Sequence, residues 1–427
     1  MSLKSLNAVV LVDSVAKADS PDGFPGLYLD QLPQKPFLLL PTGPSLVLTT
    51  FWRSRRVPVM VNLVTAKLTN LADWPQRSDD PLPYLTSEKR AQLSSYIVLG
   101  TDSLNRIVAT RSSLISPPEL IVGEVNNQGK VGDWKVVRKT PLPKTIDQAL
   151  AKLDFTVLPL PKFELSELLL LSPIPIDPAA ESTFALPPLV TIPHGGPHSA
   201  VSSDFNIQTV CLALAGYRVC LVNYPGSTGF GQDFVDVLPP QIGTLEVEAT
   251  LAAGHYLNQL SLASRTKGSR LLMGGSHGGW IGCHLTSKFP DEFDAYVSRN
   301  PVTSLAAQGV ASDIPDWGRE VAGLAYDLSS PPNPEVTVED YKRLYDVSPM
   351  RLVNDVVTPT LLLVGAEDRR VPTDQARAWY HALRANGKAE TAMLWFPGNG
   401  HPIIETVEAE VVTFEAGIQW LNRFTVW

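Results

Sequence analysis

Cysteine is nearly absent. Cys211, Cys220 and Cys283 are the only three in 427 residues. They are too few and too scattered for a disulfide framework, and no CxxC or Cys/His spacing offers a metal site. A reducing compartment is the expected setting. Charge is scarce as well: Asp, Glu, Lys and Arg make up 18% of the chain, against roughly 25% in an average globular protein. The 35 basic and 43 acidic residues leave a net charge of −8, so no partnership with nucleic acid or an anionic membrane is expected. Long apolar runs are missing too. No stretch reaches the roughly 18 residues of a membrane span, and Ala8-Val9-Val10-Leu11-Val12 is interrupted by Asp13 before it attains signal-peptide length. These absences lead to the expectation of a soluble cytoplasmic protein.

Apolar residues, at 44%, and proline, at 37 residues, are plentiful by contrast. Proline well above its usual share of about 5% suits a loop-rich but well-buried chain rather than a disordered one. The length implies two domains, and the sequence has two rhythms. From about residue 26 to 139, short apolar bursts at 36–40, 45–49, 57–61, 96–99, 106–110 and 119–122 are separated by Pro, Gly, Asn and Asp. That is an antiparallel strand-and-turn pattern. It splits into two similar segments, 36–72 and 94–139, readable as propeller blades or as one irregular β-sandwich. After a proline-rich passage around residues 159–188, strands predicted at 189–192, 217–222, 269–273, 295–297, 360–364 and 391–395 alternate with helices predicted near 204–215, 244–263, 277–289, 373–386 and 405–424. Such alternation implies a mostly parallel sheet with helices on both faces and a site at the carboxyl ends of its strands. The fold class is therefore α/β: residues 1–155 form an antiparallel β region and residues 156–427 a mostly parallel sheet with helices on both faces.

The sharpest motif is Gly274-Gly275-Ser276-His277-Gly278, a G-x-S-x-G sequence between a predicted strand and a predicted helix. That context puts a serine on a tight turn with its hydroxyl exposed above the sheet. A serine nucleophile needs a base, and the base needs a partner to hold its tautomer. The strand predicted at 360–364 runs into Glu367-Asp368, so a carboxylate is delivered at its carboxyl end; the strand at 391–395 is followed by His401. The order Ser, acid, His is that of α/β hydrolases. His255, His284 and His381 fall inside predicted helices, His277 adjoins the serine, and His194 and His198 precede the acid, which leaves His401 as the base. Glu367 adjoins Asp368, and the sequence alone prefers Asp368 without excluding its neighbour. For the oxyanion, the backbone N–H of His277 is one expected donor, and the glycine pair in His194-Gly195-Gly196-Pro197 supplies the other.

With these residues in place, the chain resembles the prolyl oligopeptidase family of serine peptidases, and within it the acylaminoacyl-peptidase branch. The matching stretches are PHGGPHS at 193–199, VNYPGSTGFGQD at 222–233, MGGSHGGW at 273–280, SRNPV at 298–302, SDIPDW at 312–317 and EDRRVP at 367–372. The resemblance favours Asp368 over Glu367 and Gly196 as the loop donor. It also implies that the two N-terminal β units are blades of an incomplete β-propeller, since family members cap the hydrolase domain with a closed one. Its implied activity is release of an N-acylated amino acid from short N-acylated peptides, with no cofactor and no metal; a homo-oligomer is left open. Two positions depart from the pattern: Pro225 stands where members usually carry arginine, and Glu246-Val247 where they usually carry Asp-Val. Room for only about two blades implies a truncated product or a reduced relative, with an apolar blade face lacking a neighbour. A carboxylesterase, a dipeptidyl peptidase and a catalytically silent binding remnant are the rival readings.

Overall fold

The computed structural model describes residues 9–20, 22–72, 93–176, 186–325 and 337–427. It divides into two compact units, one made of Met1–Asp147, Ser202–Phe205 and Thr228–Asp233, the other of Gln148–Val201, Asn206–Ser227 and Phe234–Trp427.

The first unit holds two four-stranded antiparallel sheets in simple up-and-down order. One comprises β1 (Phe37–Leu40), β2 (Gly43–Phe51), β3 (Arg56–Asn62) and β4 (Leu68–Asn70). The other comprises β5 (Ser95–Thr101), β6 (Arg106–Ser113), β7 (Ser116–Val125) and β8 (Val131–Lys139). Alternation sends every second side chain to one face, and Leu38, Val47 and Met60 of the first sheet pack with Val98, Ile107 and Val125 of the second in one buried cluster. Such stacked sheets fit propeller-like blades. β4 and β8 escape the sequence pattern, the first because it is three residues long and the second because Lys135, Arg138 and Lys139 interrupt its apolar rhythm. Charges on an edge strand discourage further pairing.

One expectation is corrected here. The other face of the first sheet, carrying Leu48, Trp52, Val57 and Val59, is not bare. Phe24 and Leu27 from the preceding segment pack against it, and Phe24 meets Trp52 edge-on with ring centroids 5.3 Å apart.

After α1 (Lys144–Leu150), the second unit builds one eight-stranded sheet from β9 (Asp154–Pro159), β10 (Glu167–Ser172), β11 (Leu189–Pro193), β12 (Arg218–Asn223), β13 (Arg270–Gly275), β14 (Ala295–Arg299), β15 (Thr360–Gly365) and β16 (Thr391–Phe396). Their order is β16-β15-β14-β13-β11-β12-β10-β9. β9 and β10 are antiparallel and the six others parallel. The passage around 159–188 is thus only partly a connection: Leu168 to Leu171 form a strand buried on both faces. Residues 177–185 of it lie outside the described residues.

The α-helices among the described residues that follow are α2 (Ile207–Leu214), α3 (Gln232–Asp236), α4 (Leu245–Gln259), α5 (His277–Lys288), α6 (Leu305–Ala311), α7 (Trp317–Val321), α8 (Val338–Val347), α9 (Asp374–Asn386) and α10 (Val407–Phe424). Adjacent residues of β14 show how the sheet separates its two layers. Tyr296 points to α5, where its hydroxyl donates to the Gly279 carbonyl at 2.8 Å. Val297 points the other way, toward Gly417 of α10. The parallel strands therefore all deliver their carboxyl ends to one edge of a sheet covered on both faces.

Candidate active site

Ser276 follows β13 directly and precedes the first residue of α5. Its backbone sits at φ 58, ψ −121, a region costly for a residue with a Cβ. The turn is held from both sides: Ser276 N–H donates to the Arg299 carbonyl at 2.9 Å, and its own carbonyl accepts from Trp280 N–H at 3.0 Å. Glycine is required around it. A Cβ on Gly274 would overlap the Gly278 carbonyl, one on Gly278 would overlap the Pro193 carbonyl, and one on Gly279 would come within 2.8 Å of Pro301 Cα. The glycines of the motif thus let α5 and the β11 end close onto the serine turn.

His277 is the first residue of α5, so its N–H has no acceptor within the helix. Its ring is fully buried, Nε2 lies 3.7 Å from Glu246 Oε1, and burial holds the imidazole well below its ordinary pKa. Glu246, also fully buried, is pushed up to about 7 by the same desolvation. It accepts from Gly243 N–H at 2.6 Å and from Trp280 Nε1 at 3.2 Å. The glutamate that replaces the expected aspartate therefore serves as an anchor beneath the serine turn.

The loop after β11 lies against Ser276. A Cβ on Gly195 would be 3.4 Å from Ser276 Cβ and 3.9 Å from its Oγ. Gly196 takes φ +124, where a side chain would press within 2.9 Å of His198 N. His194 is buried and stacks on Tyr224 at 4.3 Å. Its Nε2 bonds Ser227 Oγ at 2.8 Å, and its carbonyl accepts the Tyr224 hydroxyl at 2.8 Å. Burial lowers its pKa to about 4, so it stays neutral and acts as a wedge that shapes the loop. His198 bonds the Gly226 carbonyl at 2.9 Å through Nδ1, next to Pro225. In the helices, His255 pairs with Glu292 at 3.2 Å and His284 bonds the Val347 carbonyl at 2.9 Å. His381 packs on Tyr380 with ring centroids 5.6 Å apart.

The structure brings Asp368 and His401 together: Nδ1 of the imidazole lies 2.6 Å from Asp368 Oδ2. The other carboxylate oxygen accepts from Arg370 N–H and Val371 N–H, each at 2.9 Å. The Asp368 side chain is 0% exposed and the His401 ring 28%, so the imidazole presents an edge to solvent while its partner is enclosed. Glu367 points outward. Only its backbone N–H takes part, donating to the Asn399 carbonyl at 2.9 Å.

Sequence reasoning missed Asn300. It follows β14, takes φ 42 and is buried. Its Oδ1 accepts Gly365 N–H at 3.0 Å, and its Nδ2 donates to the His401 carbonyl at 2.8 Å. One amide thus ties the end of β15, three residues before Asp368, to the loop holding His401. A polar residue inside SRNPV, just beyond a strand's carboxyl end, was the available signal. Among the described residues no group of three or more His, Cys, Asp or Glu could hold a metal ion, and no helix is long and apolar enough to cross a membrane.

Known proteins similar to this chain cover both of its units. The model of the acylamino-acid-releasing enzyme N-terminal domain matches residues 1–149. The acylamino-acid-releasing enzyme of Arabidopsis thaliana is 31% identical over 428 residues, covering 97% of this chain and 52% of that protein. Its human counterpart is 34% identical over 333 residues, covering 74% and 42%. The chain thus spans about half the length of the curated relatives it matches. Among solved structures, a Mycobacterium tuberculosis puromycin-hydrolyzing peptidase superposes with a TM-score of 0.71 at 23% identity, covering 96% of this chain and 56% of that one. The acylaminoacyl peptidase of Pyrococcus horikoshii superposes with a TM-score of 0.68 at 18% identity, covering 89% and 54%; both likenesses establish the fold. The model of the prolyl oligopeptidase family matches residues 202–425, the stretch that carries Ser276, Asp368 and His401, and the chain belongs to that family.

Proposed function

We propose that the chain is a serine peptidase that cleaves after an N-acylated first residue of short peptides and releases an N-acyl amino acid. The observation that carries this reading is the 2.6 Å contact between His401 Nδ1 and an enclosed, doubly hydrogen-bonded Asp368, at the same sheet edge as the Ser276 turn.

In this scheme Ser276 Oγ attacks the carbonyl carbon of the acylated residue, and His401 Nε2 takes the hydroxyl proton. Asp368 keeps Nδ1 protonated, so that Nε2 is the lone-pair nitrogen, and stabilises the imidazolium that forms. The backbone N–H groups of His277 and Gly196 receive the oxyanion. As the tetrahedral intermediate collapses, the C–N bond breaks and His401 returns the proton to the leaving amine. Water, deprotonated by His401, then cleaves the ester and restores Ser276. The chain's own groups and water account for every bond and proton, so no cofactor enters the scheme.

Residues 1–155 are proposed as the propeller-like region and 156–427 as the peptidase domain, working in the cytoplasm on short N-acylated peptides rather than on nucleic acid or membranes, with a homo-oligomer as a further option. The test pairs a fluorophosphonate label with two substrates, an acetyl-amino acid anilide and a simple acyl ester. The reading expects labelling of the natural chain and none of Ser276→Ala, with anilide turnover exceeding ester turnover in kcat/KM. Absence of labelling overturns it in favour of a binding module, and turnover of the ester alone overturns it in favour of a carboxylesterase.

A further inference from the structure

Behind the Ser276 turn, on the side of the sheet covered by α2 and α10, lies a cavity of about 330 Å³. Its walls are mostly apolar, with Met273 and Val297 on the sheet, Leu212 on α2 and Phe414 on α10, while Thr209 and Thr413 add polar groups. The volume falls at the small end of the roughly 300–1,000 Å³ typical of ligand pockets. Its end at the strand termini is formed by Gly195, Ser276 and Arg299. Strand alternation puts Arg299 on the same face of β14 as Val297.

Among the described residues of that lining, Arg299 is the one cation. Its Nη1 donates to the Pro402 carbonyl at 3.1 Å, and its Nε and Nη2 lie over the bare backbone of Gly275. No carboxylate among the described residues forms an ion pair with it. Burial lowers its pKa, opposed only by Asp368 at longer range, and that carboxylate is already engaged with His401. A partly buried guanidinium normally has an anionic partner. An apolar cavity with such a cation at its end selects a ligand with an apolar body and a carboxylate terminus, whose two oxygens match the guanidinium fork.

We propose that this cavity is a second ligand site for a small apolar carboxylate, a medium-chain fatty acid or an N-acylated apolar amino acid. The tail lies between α2 and α10 and the carboxylate on Arg299. The Ser276 turn closes one end of this cavity, and the cation there is connected to both loops of the site. The Arg299 carbonyl accepts from Ser276 N–H at 2.9 Å, and its guanidinium holds Pro402, the neighbour of His401.

The experiment uses the full chain carrying Ser276→Ala, so its result does not depend on peptidase activity, and measures binding of decanoate, N-acetyl-leucine and decanol by titration calorimetry. At least one of the two carboxylates binds at a single site, and the tighter one identifies the source of the ligand. Decanol binds at least about tenfold more weakly than decanoate, and Arg299→Gln weakens the carboxylate by a similar factor, as loss of a charge-assisted hydrogen bond requires. Leu212→Trp, which fills the apolar end, abolishes binding. As a check independent of any variant's folding, crystals soaked with 10-bromodecanoate show the bromine anomalous peak between α2 and α10. Failure of both carboxylates to bind at millimolar concentration, equal affinity for decanol or in Arg299→Gln, or bromine found elsewhere overturns the proposal.

Discussion

Asn300 Nδ2 donates to the carbonyl oxygen of His401 at 2.8 Å, while its Oδ1 accepts the Gly365 N–H at 3.0 Å. The loop after β16 is therefore fastened to the end of β15 by a side chain that follows a third strand, β14. Asn300→Ala removes both bonds and places a less tolerant residue at φ 42. Displacement of a catalytic group by about 1 Å costs on the order of 100-fold. The expected result is a fall in kcat of about 10- to 100-fold with KM changed by less than about threefold. A larger rise in KM than fall in kcat contradicts the positioning role.

Asp368→Asn keeps the shape of the pair but no longer favours the Nδ1–H tautomer of His401. Turnover is expected to fall by about four orders of magnitude, as the equivalent change does for the orienting acid of a well-studied triad. Because Glu367 is exposed, Glu367→Gln is expected to stay within about twofold of the natural chain. Steady-state kinetics on the acetyl-amino acid anilide checks both.

The buried groups around the serine turn make stability depend on pH with opposite signs. His194 has its pKa lowered to about 4 from about 6.5. Between these values the unfolded chain binds the proton and the folded chain does not, so this contribution, on the order of 3 kcal/mol, is present above pH 6.5 and lost as pH falls toward 4. Glu246, raised to about 7 from about 4.5, has the reverse sign: its contribution is full below pH 4.5 and is lost as pH rises through 7. In urea melts from pH 7 to pH 5, His194→Gln is expected to flatten the acid loss of stability and Glu246→Gln to steepen it. Parallel slopes in all three proteins would show that neither group titrates as argued.

Gly365 marks where two loops touch, because a Cβ there would overlap the Gly400 carbonyl. Gly365→Ala is expected to push the His401 loop away and lower kcat by at least about tenfold while leaving far-UV circular dichroism unchanged. Retention of full activity would mean that the loop yields without moving His401.

Ser276, Asp368 and His401 are legible in the sequence because each follows a strand whose apolar run announces it, and a strand's carboxyl end is where a parallel sheet places its chemistry. The choice between Glu367 and Asp368 is not legible from spacing, since adjacent residues share the same strand end. In the structure it is Asp368 that meets His401, in a turn where Arg370 and Val371 N–H groups converge on its other oxygen. Asn300 escapes notice because its partners, Gly365 and His401, are distant in sequence and only the sheet order brings them together. β9 and β10 are hidden by flanking prolines that resemble a linker, although Leu168 to Leu171 is as apolar as any strand recognised. In the N-terminal sheets the six strands with clear apolar bursts were found, and the short or charged fourth strands were not.

The packing of Phe24 and Leu27 over Leu48, Trp52, Val57 and Val59 changes what the first N-terminal sheet offers its surroundings. In a propeller such a face is where the adjacent blade stacks, but here the chain's own preceding segment occupies it. Any blade arriving from elsewhere must compete with an occupant tethered in the same chain, and it must displace the Phe24–Trp52 contact before gaining its own.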